Sequence, residues 1–108
     1  MKTLVLMRHA KSNWSGDLSD FDRPLSERGV KSARALGKWL RENDLFPDFA
    51  LVSAAKRTVE TFDELKINCP FEKKKKLYLA PLEEIFHQIR QVDANILLLI
   101  CHNGGISE

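Results

Sequence analysis

The chain has 108 residues, with 17 Lys and Arg against 15 Asp and Glu, a formal net charge of +2. This length bounds it to one domain, residues 1–108. A balance so near neutrality excludes a general polyanion binder, so nucleic acid is not an expected partner and any attraction for anions must be local. A 44% hydrophobic and 30% charged composition is that of an ordinary globular domain rather than a disordered or membrane-embedded one.

The opening apolar run, residues 3–7, reads as a buried strand. It is too short for a signal peptide, and Arg8 and His9 interrupt it. Residues 12–24 are polar and turn-rich, with Gly16, several aspartates and Pro24, and read as a loop. A helix is predicted over 26–42, with Ser26 as its N-cap and Glu27 in the first turn. Val30, Ala33, Leu36, Gly37 and Leu40 share its apolar face, and Asn43 and Pro47 end it.

A second strand is predicted over 49–52, followed by a helix over 54–65 capped by Ser53. Residues 71–79 read as a charged edge strand, in which Lys73, Lys74, Lys75 and Lys76 discourage edge-to-edge pairing rather than marking a nuclear signal or nucleic-acid patch. Helix resumes near Pro81, with Leu82, Ile85, Ile89 and Val92 at helical spacing. His87 lies inside it as a surface or boundary residue. Residues 96–101 form a third buried strand, far too short to span a bilayer, and no membrane partner is expected. Cys69 and Cys101, far apart in the chain, suit a reducing compartment, and a cytoplasmic location is expected.

Strands alternating with helices predict parallel βαβ units in a three-layer α/β sandwich, with a mainly parallel sheet and helices on both faces. Ligands of such sheets bind beyond the carboxyl ends of the strands. The three apolar strands end in Arg8-His9, in Ser53 with Arg57 one turn on, and in His102-Asn103. If the strands are parallel, two arginines and two histidines converge on one edge. Arginine presents a planar fork of donors suited to phosphate oxygens. The first turn of the helix carrying Arg57 adds free backbone N–H groups. A neutral imidazole aimed between these groups could attack phosphorus, and the second histidine could donate to an equatorial oxygen. The ordinary histidine pKa of ~6.5 makes that neutral form readily available.

LMRHAKSNW, residues 6–14, resembles the Arg-His signature of the histidine phosphatase superfamily, which includes phosphoglycerate mutases and acid phosphatases. Ser53-Ala-Ala-Lys-Arg57-Thr-Val-Glu-Thr61 is similar to its second arginine motif, and Cys101-His102-Asn103 to its later histidine motif. Asp22-Arg23-Pro24-Leu25-Ser26-Glu27-Arg28-Gly29 resembles most the small phosphohistidine phosphatase branch. The resemblance spans essentially the whole chain. It implies that His9 is the nucleophile, that Arg8 and Arg57 clamp the phosphate, and that His102 is the second pocket histidine. It also implies that Arg23, Ser12 and Asn13 border the substrate.

The resemblance further implies a phosphatase working through a phosphohistidine intermediate, without cofactor or metal, on phosphohistidine protein or a small phosphorylated compound. Two departures stand out: Cys101 where a glycine is usual, and Gly104 where proline is common. Family members continue beyond Glu108, so a C-terminal truncation is expected. The general acid stays open among Asp17, Asp20, Asp22, Glu83 and Glu84.

Two other functions were weighed against hydrolysis. A non-catalytic phosphate-binding module would keep the arginines without turnover. A mutase would need a large substrate-closing insertion, for which the short loops leave no room. Metal binding through His9, His102 and Cys101 is disfavoured by the lack of ligand spacing and by the adjacent arginines, which repel a cation.

Overall fold

A computed structural model describes residues 3–10, 12 and 18–102. Expectations that fall on Lys11, Asn13, Gly16, Asp17, Asn103, Gly104 and Gly105 lie outside the described residues. The elements are β1 (Thr3–Arg8), α1 (Glu27–Glu42), β2 (Phe49–Ser53), α2 (Lys56–Leu65), β3 (Phe71–Lys74), α3 (Leu82–Arg90) and β4 (Ile96–Cys101). Short 3₁₀ turns at Asp20–Asp22 and Lys75–Leu77 punctuate the connections. Among the described residues, no helix is long and apolar enough to cross a membrane.

The described strands form one sheet in the order β1-β4-β2-β3, and every pairing is parallel. β4 is central because it can tolerate burial on both faces. Leu97, Leu98, Leu99 and Ile100 are fully buried, and each such side chain contributes roughly 1.5–3 kcal/mol relative to exposure. Alternation along β4 sends Leu97, Leu99 and Cys101 into a cluster with Ile85 and Ile89 of α3. Leu98 and Ile100 go the other way, to Leu40 of α1 and to Phe62 and Leu65 of α2. The sheet is thus covered on both faces, α3 on one and the α1–α2 pair on the other, which is the three-layer arrangement expected.

Local signals were read closely in α1. Ser26 caps it by accepting from the Gly29 N–H (3.1 Å), and Asn43 ends it. Its buried face is Gly29, Ala33, Gly37 and Leu40, while Leu36 is left exposed. Three expectations need correction. β1 stands at one end of the described sheet and is not continuously buried: Met7 is buried, but Leu6 is 44% exposed. Leu4 packs on the α3 side and Val5 on the other.

Ser53 is not a helix cap. It is the last residue of β2, and Ala55 takes the N-cap position of α2 with no side-chain cap bond. Its hydroxyl is engaged elsewhere, as described below. The strand predicted over 71–79 ends at Lys74, because Lys75–Leu77 turn and carry Leu77 into the core. Lys73 and Lys74 still occupy a sheet edge, and Lys74 pairs with Glu72 at 2.9 Å.

The α1–α2 contact depends on one missing side chain. A Cβ on Gly37 would stand 2.1 Å from the Leu65 carbonyl oxygen, so α1 reaches the backbone of α2 only because residue 37 is glycine. Next to it, Arg41 donates to the Leu65 carbonyl (2.8 Å), satisfying an end-of-helix acceptor. Gly37→Ala is expected to destabilise the fold by about 2–3 kcal/mol through overpacking against backbone that cannot yield, measured as a lowered midpoint in urea denaturation.

Candidate active site

Because the sheet is parallel, the carboxyl ends of β1, β4 and β2 lie side by side. Arg8 is in register with Cys101, and the His9 N–H donates to the Cys101 carbonyl at 3.1 Å. This pairing delivers His9 and His102 to the same edge, with ring centroids 5.6 Å apart. Ser53, at the end of β2, meets His102 across the sheet: its Oγ lies 2.7 Å from His102 Nε2.

His9 is held in one tautomer. Its Nδ1 lies 2.6 Å from the Ala10 carbonyl oxygen. A carbonyl can only accept, so Nδ1 carries the hydrogen and the neutral ring keeps its lone pair on Nε2. The turn bearing His9 is fixed from α2: the Ala10 N–H donates to Thr61 Oγ1 (3.0 Å), whose hydroxyl donates to the Arg57 carbonyl (2.7 Å). Partial burial pushes the His9 pKa below its ordinary 6.5. The Ala10 carbonyl opposes this, and the charges of Arg57, Arg8 and Arg23 reinforce it.

Arg57 lies in the first turn of α2 and is only 2% exposed. One terminal nitrogen, Nη1, donates to the Asp20 carbonyl (2.6 Å). The other, Nη2, reaches both Asp20 Oδ2 (3.0 Å) and His102 Nδ1 (3.2 Å). Its Nε–H is buried and has no partner among the described residues. A guanidinium can only donate, so His102 Nδ1 is an acceptor and its Nε2–H donates to Ser53. Burial, and then the Arg57 charge, hold the His102 pKa down to about 4. In this arrangement both His102 nitrogens serve the protein, orienting Arg57. The donation to a phosphate oxygen anticipated from the sequence requires this pairing to rearrange.

Arg23, 7% exposed, is anchored by Asp20 through Nε (3.2 Å) and Nη2 (2.9 Å), and its Nη1 donates to Ser12 Oγ. The segment carrying Asp20 and Arg23 is latched to α2 twice, by Asp20 on Arg57 and by the Leu25 N–H donating to Glu60 Oε1 (2.9 Å). Arg8 ends β1 with an exposed side chain, and its charge is nevertheless felt at His9. The structure therefore brings together His9, His102, Arg57, Arg23 and Ser12. Arg8 stands at the margin, and Asn13 is outside the described residues. His87 is exposed on α3, where Gln91 donates to it (2.8 Å), matching the surface role expected.

Sequence reasoning missed Ser53 and Tyr78. The Tyr78 hydroxyl donates to Asp20 Oδ2, and its ring stands edge-on to His102 (centroids 5.3 Å apart) and to Phe21 (5.0 Å). The Arg57 guanidinium carbon lies 6.0 Å from the same ring centre. No local pattern marks a tyrosine that meets an aspartate 58 positions earlier. Ser53 carried a signal, as the residue closing an apolar strand, but the capping reading absorbed it.

Asp20, one of the carboxylates weighed as a proton donor, is held well below the usual carboxylate range. The Tyr78 hydroxyl is the main cause, followed by Arg23 and Arg57. Held by these donors, it is ionised near neutral pH in this arrangement. Asp22 instead accepts from the Ser19 hydroxyl (2.9 Å), and Glu84 from Gln88 (3.3 Å) on α3. An apolar groove bordered by Leu40, Leu45, Phe46 and Ile67 lies at the opposite end of the sheet and holds none of these groups.

The site can be set against known proteins. The profile of the histidine phosphatase superfamily (branch 1) matches residues 4–80. A Mycobacterium tuberculosis protein, Rv1276c, is 36% identical over 103 residues, spanning 94% of this chain and 65% of its own length. The phosphohistidine phosphatase candidate SixA of Nakamurella multipartitia superposes with a TM-score of 0.91 at 36% identity, over 97% of this chain and 61% of that one. Its counterpart from Agrobacterium tumefaciens gives 0.88 at 28% identity, over 94% and 70%. The chain thus spans about two thirds of the length of these relatives. The parallel sheet, the Arg8-His9 strand end and the profile match agree: this chain belongs to the histidine phosphatase superfamily, in its small, SixA-like branch.

Proposed function

We propose that this chain carries a phosphatase site that works through a phosphohistidine intermediate on His9, with phosphohistidine on a protein as the favoured substrate. The observation that carries the reading is the fixed tautomer of His9. Nδ1 is committed to the Ala10 carbonyl, so the Nε2 lone pair is free beside buried arginines. In the first step Nε2 attacks phosphorus, the bond from phosphorus to the substrate nitrogen breaks, and the leaving imidazole takes up a proton. In the second step water attacks phosphorus, the P–Nε2 bond breaks, and inorganic phosphate departs with His9 neutral again.

Arg57 and Arg23, with Arg8 at the margin, supply the positive field in which the equatorial oxygens gain charge. These cations do the electrostatic work, so the reading requires no metal. Ser12 borders the seat through Arg23, and Asn13 is assigned to the same border by resemblance.

One feature favours a phosphohistidine over an alkyl phosphate ester. The carboxylate that the arginines hold, Asp20, is locked in its ionised form and offers no proton. An alkoxide leaving group needs a strong general acid, whereas an imidazole leaves at near-neutral pH with a proton from solvent. The names carried by the SixA relatives support the same substrate class.

Three outcomes test this. His9→Ala should abolish phosphate release from a phosphohistidine protein, and rapid acid-free quenching of the wild type should trap an acid-labile, base-stable label on His9. Label on another residue would reassign the nucleophile, and phosphate binding without label or turnover would mark a binding module instead.

Arg57→Ala should lower kcat/KM by roughly 10²–10³, the scale for losing one preorganised transition-state donor.

The third outcome concerns pH. Because His9 is neutral to below its ordinary 6.5, the acid limb of kcat/KM should have its midpoint below that value. Arg57→Gln should move the limb upward by part of the shift only, since burial is the larger cause. Stability should fall over a related range. Unfolded His102 takes its proton near 6.5 and folded His102 near 4. The stabilisation is therefore complete above 6.5 and is lost as pH falls towards 4, by at most ~3 kcal/mol. Urea titrations at pH 7, 5.5 and 4 on wild type and His102→Gln would measure it.

A further inference from the structure

The proposed mechanism uses the arginines and His9 but gives no role to the carboxylate at their centre. Asp20 receives the Tyr78 hydroxyl, two nitrogens of Arg23 and Nη2 of Arg57, and its backbone carbonyl receives Nη1 of Arg57. Both arginines are nearly inaccessible to water, at 2% and 7% exposure, whereas the Asp20 side chain is 39% exposed. Buried cations without a counter-charge are strongly unfavourable. A phosphate would neutralise them, but in its absence something else must.

Asp20 does so with a partly exposed side chain on a 3₁₀ turn rather than on the sheet. Its occupation of the clamp is incomplete. It takes both terminal nitrogens of Arg57, one by its side chain and one by its backbone, and among the described residues the buried Nε–H has no partner.

We infer that Asp20 is a resident counter-anion of the phosphate clamp: it occupies Arg23 and Arg57 in the free enzyme and competes with phosphate for them. This rests on the reading of the pocket as a phosphoryl-transfer site. Asp20 is then a positioning residue that never touches the reacting atoms. Its negative charge weakens ground-state binding of a phosphate dianion and returns to the arginines when the product leaves, so it speeds release of inorganic phosphate. Tyr78 acts through Asp20, since its hydroxyl steadies the carboxylate on the side turned towards His102.

The experiment is calorimetric titration of inorganic phosphate into the wild-type chain and into Asp20→Asn, Asp20→Glu and Arg57→Ala, with phosphate inhibition constants measured alongside. Asp20→Asn keeps the size of the side chain, removes its charge and turns one of its two accepting oxygens into an N–H donor. It should bind phosphate on the order of tenfold tighter or more, with a parallel fall in the inhibition constant and a lower kcat as release slows. Asp20→Glu keeps the charge and should stay within a few-fold of wild type. If Asp20→Asn does not fold, Asp20→Ser carries the same expectation. Equal or weaker phosphate binding in a folded, uncharged variant overturns the inference and leaves Asp20 a purely structural ion-pair partner. Arg57→Ala separates the two levels. If it loses phosphate while Asp20→Asn gains none, only the role of Asp20 falls. If wild type and Arg57→Ala bind phosphate alike, or neither binds, the phosphate-site reading falls with it.

Discussion

The arrangement of this site follows from one constraint, a guanidinium cation buried at 2% exposure on the first turn of α2. A charge cannot be removed from water without partners, and each partner that Arg57 recruits comes from a different part of the chain. Asp20 arrives on the loop after β1, His102 at the end of β4, and Tyr78 on the turn after β3. Satisfying one cation therefore gathers the segments that the active site needs. The loop holding Arg23 is brought in by the same contact, because Asp20 bridges the two arginines.

The sheet supplies the frame. Parallel pairing of β1, β4 and β2 makes three sequence-distant strand ends neighbours without any further instruction. The rigid interior stops where the chemistry begins: Ile100 and Cys101 are buried apolar residues, and the next residue is a histidine with both nitrogens bonded. α2 contributes twice, through Arg57 at its start and through Thr61 one turn later, which holds the Ala10 amide and hence the backbone of the His9 turn. An arginine and a threonine four apart share one helix face, so a single rigid element sets both the cation and the nucleophile.

Much of this was legible in the residues. The alternation of apolar runs with amphipathic helices led to the parallel three-layer sheet, because period and length are local properties. His9, Arg57, His102 and Arg23 were legible because each follows a strand end or sits in a motif. What escaped was contact between segments. Tyr78 and Asp20 carry no pattern of their own, and their pairing depends on how the turn after β3 folds back over the sheet edge. Ser53 was misread because a serine before a helix satisfies the capping rule equally well, and only the parallel register with β4 shows that its hydroxyl meets His102. For β1, hydrophobicity reports that a strand belongs to a sheet, not how much of each side chain is covered.

The electrostatics of the pocket serve binding and reactivity through the same charges. Arginines suited to a phosphate also repel a proton from His9, so they help keep its imidazole neutral. The cost of that arrangement is an excess of buried positive charge when no phosphate is present. An ionised carboxylate at the rim relieves it without lending His9 a proton, because Tyr78 and the arginines hold that carboxylate far from protonation. A more basic pocket lacking Asp20 would grip phosphate harder and let it go more slowly. A pocket with a protonatable acid in its place would suit a poorer leaving group than imidazole. Under the proposed reading, that compromise suits a labile phosphoryl donor, for which binding strength is less limiting than the return of the free enzyme.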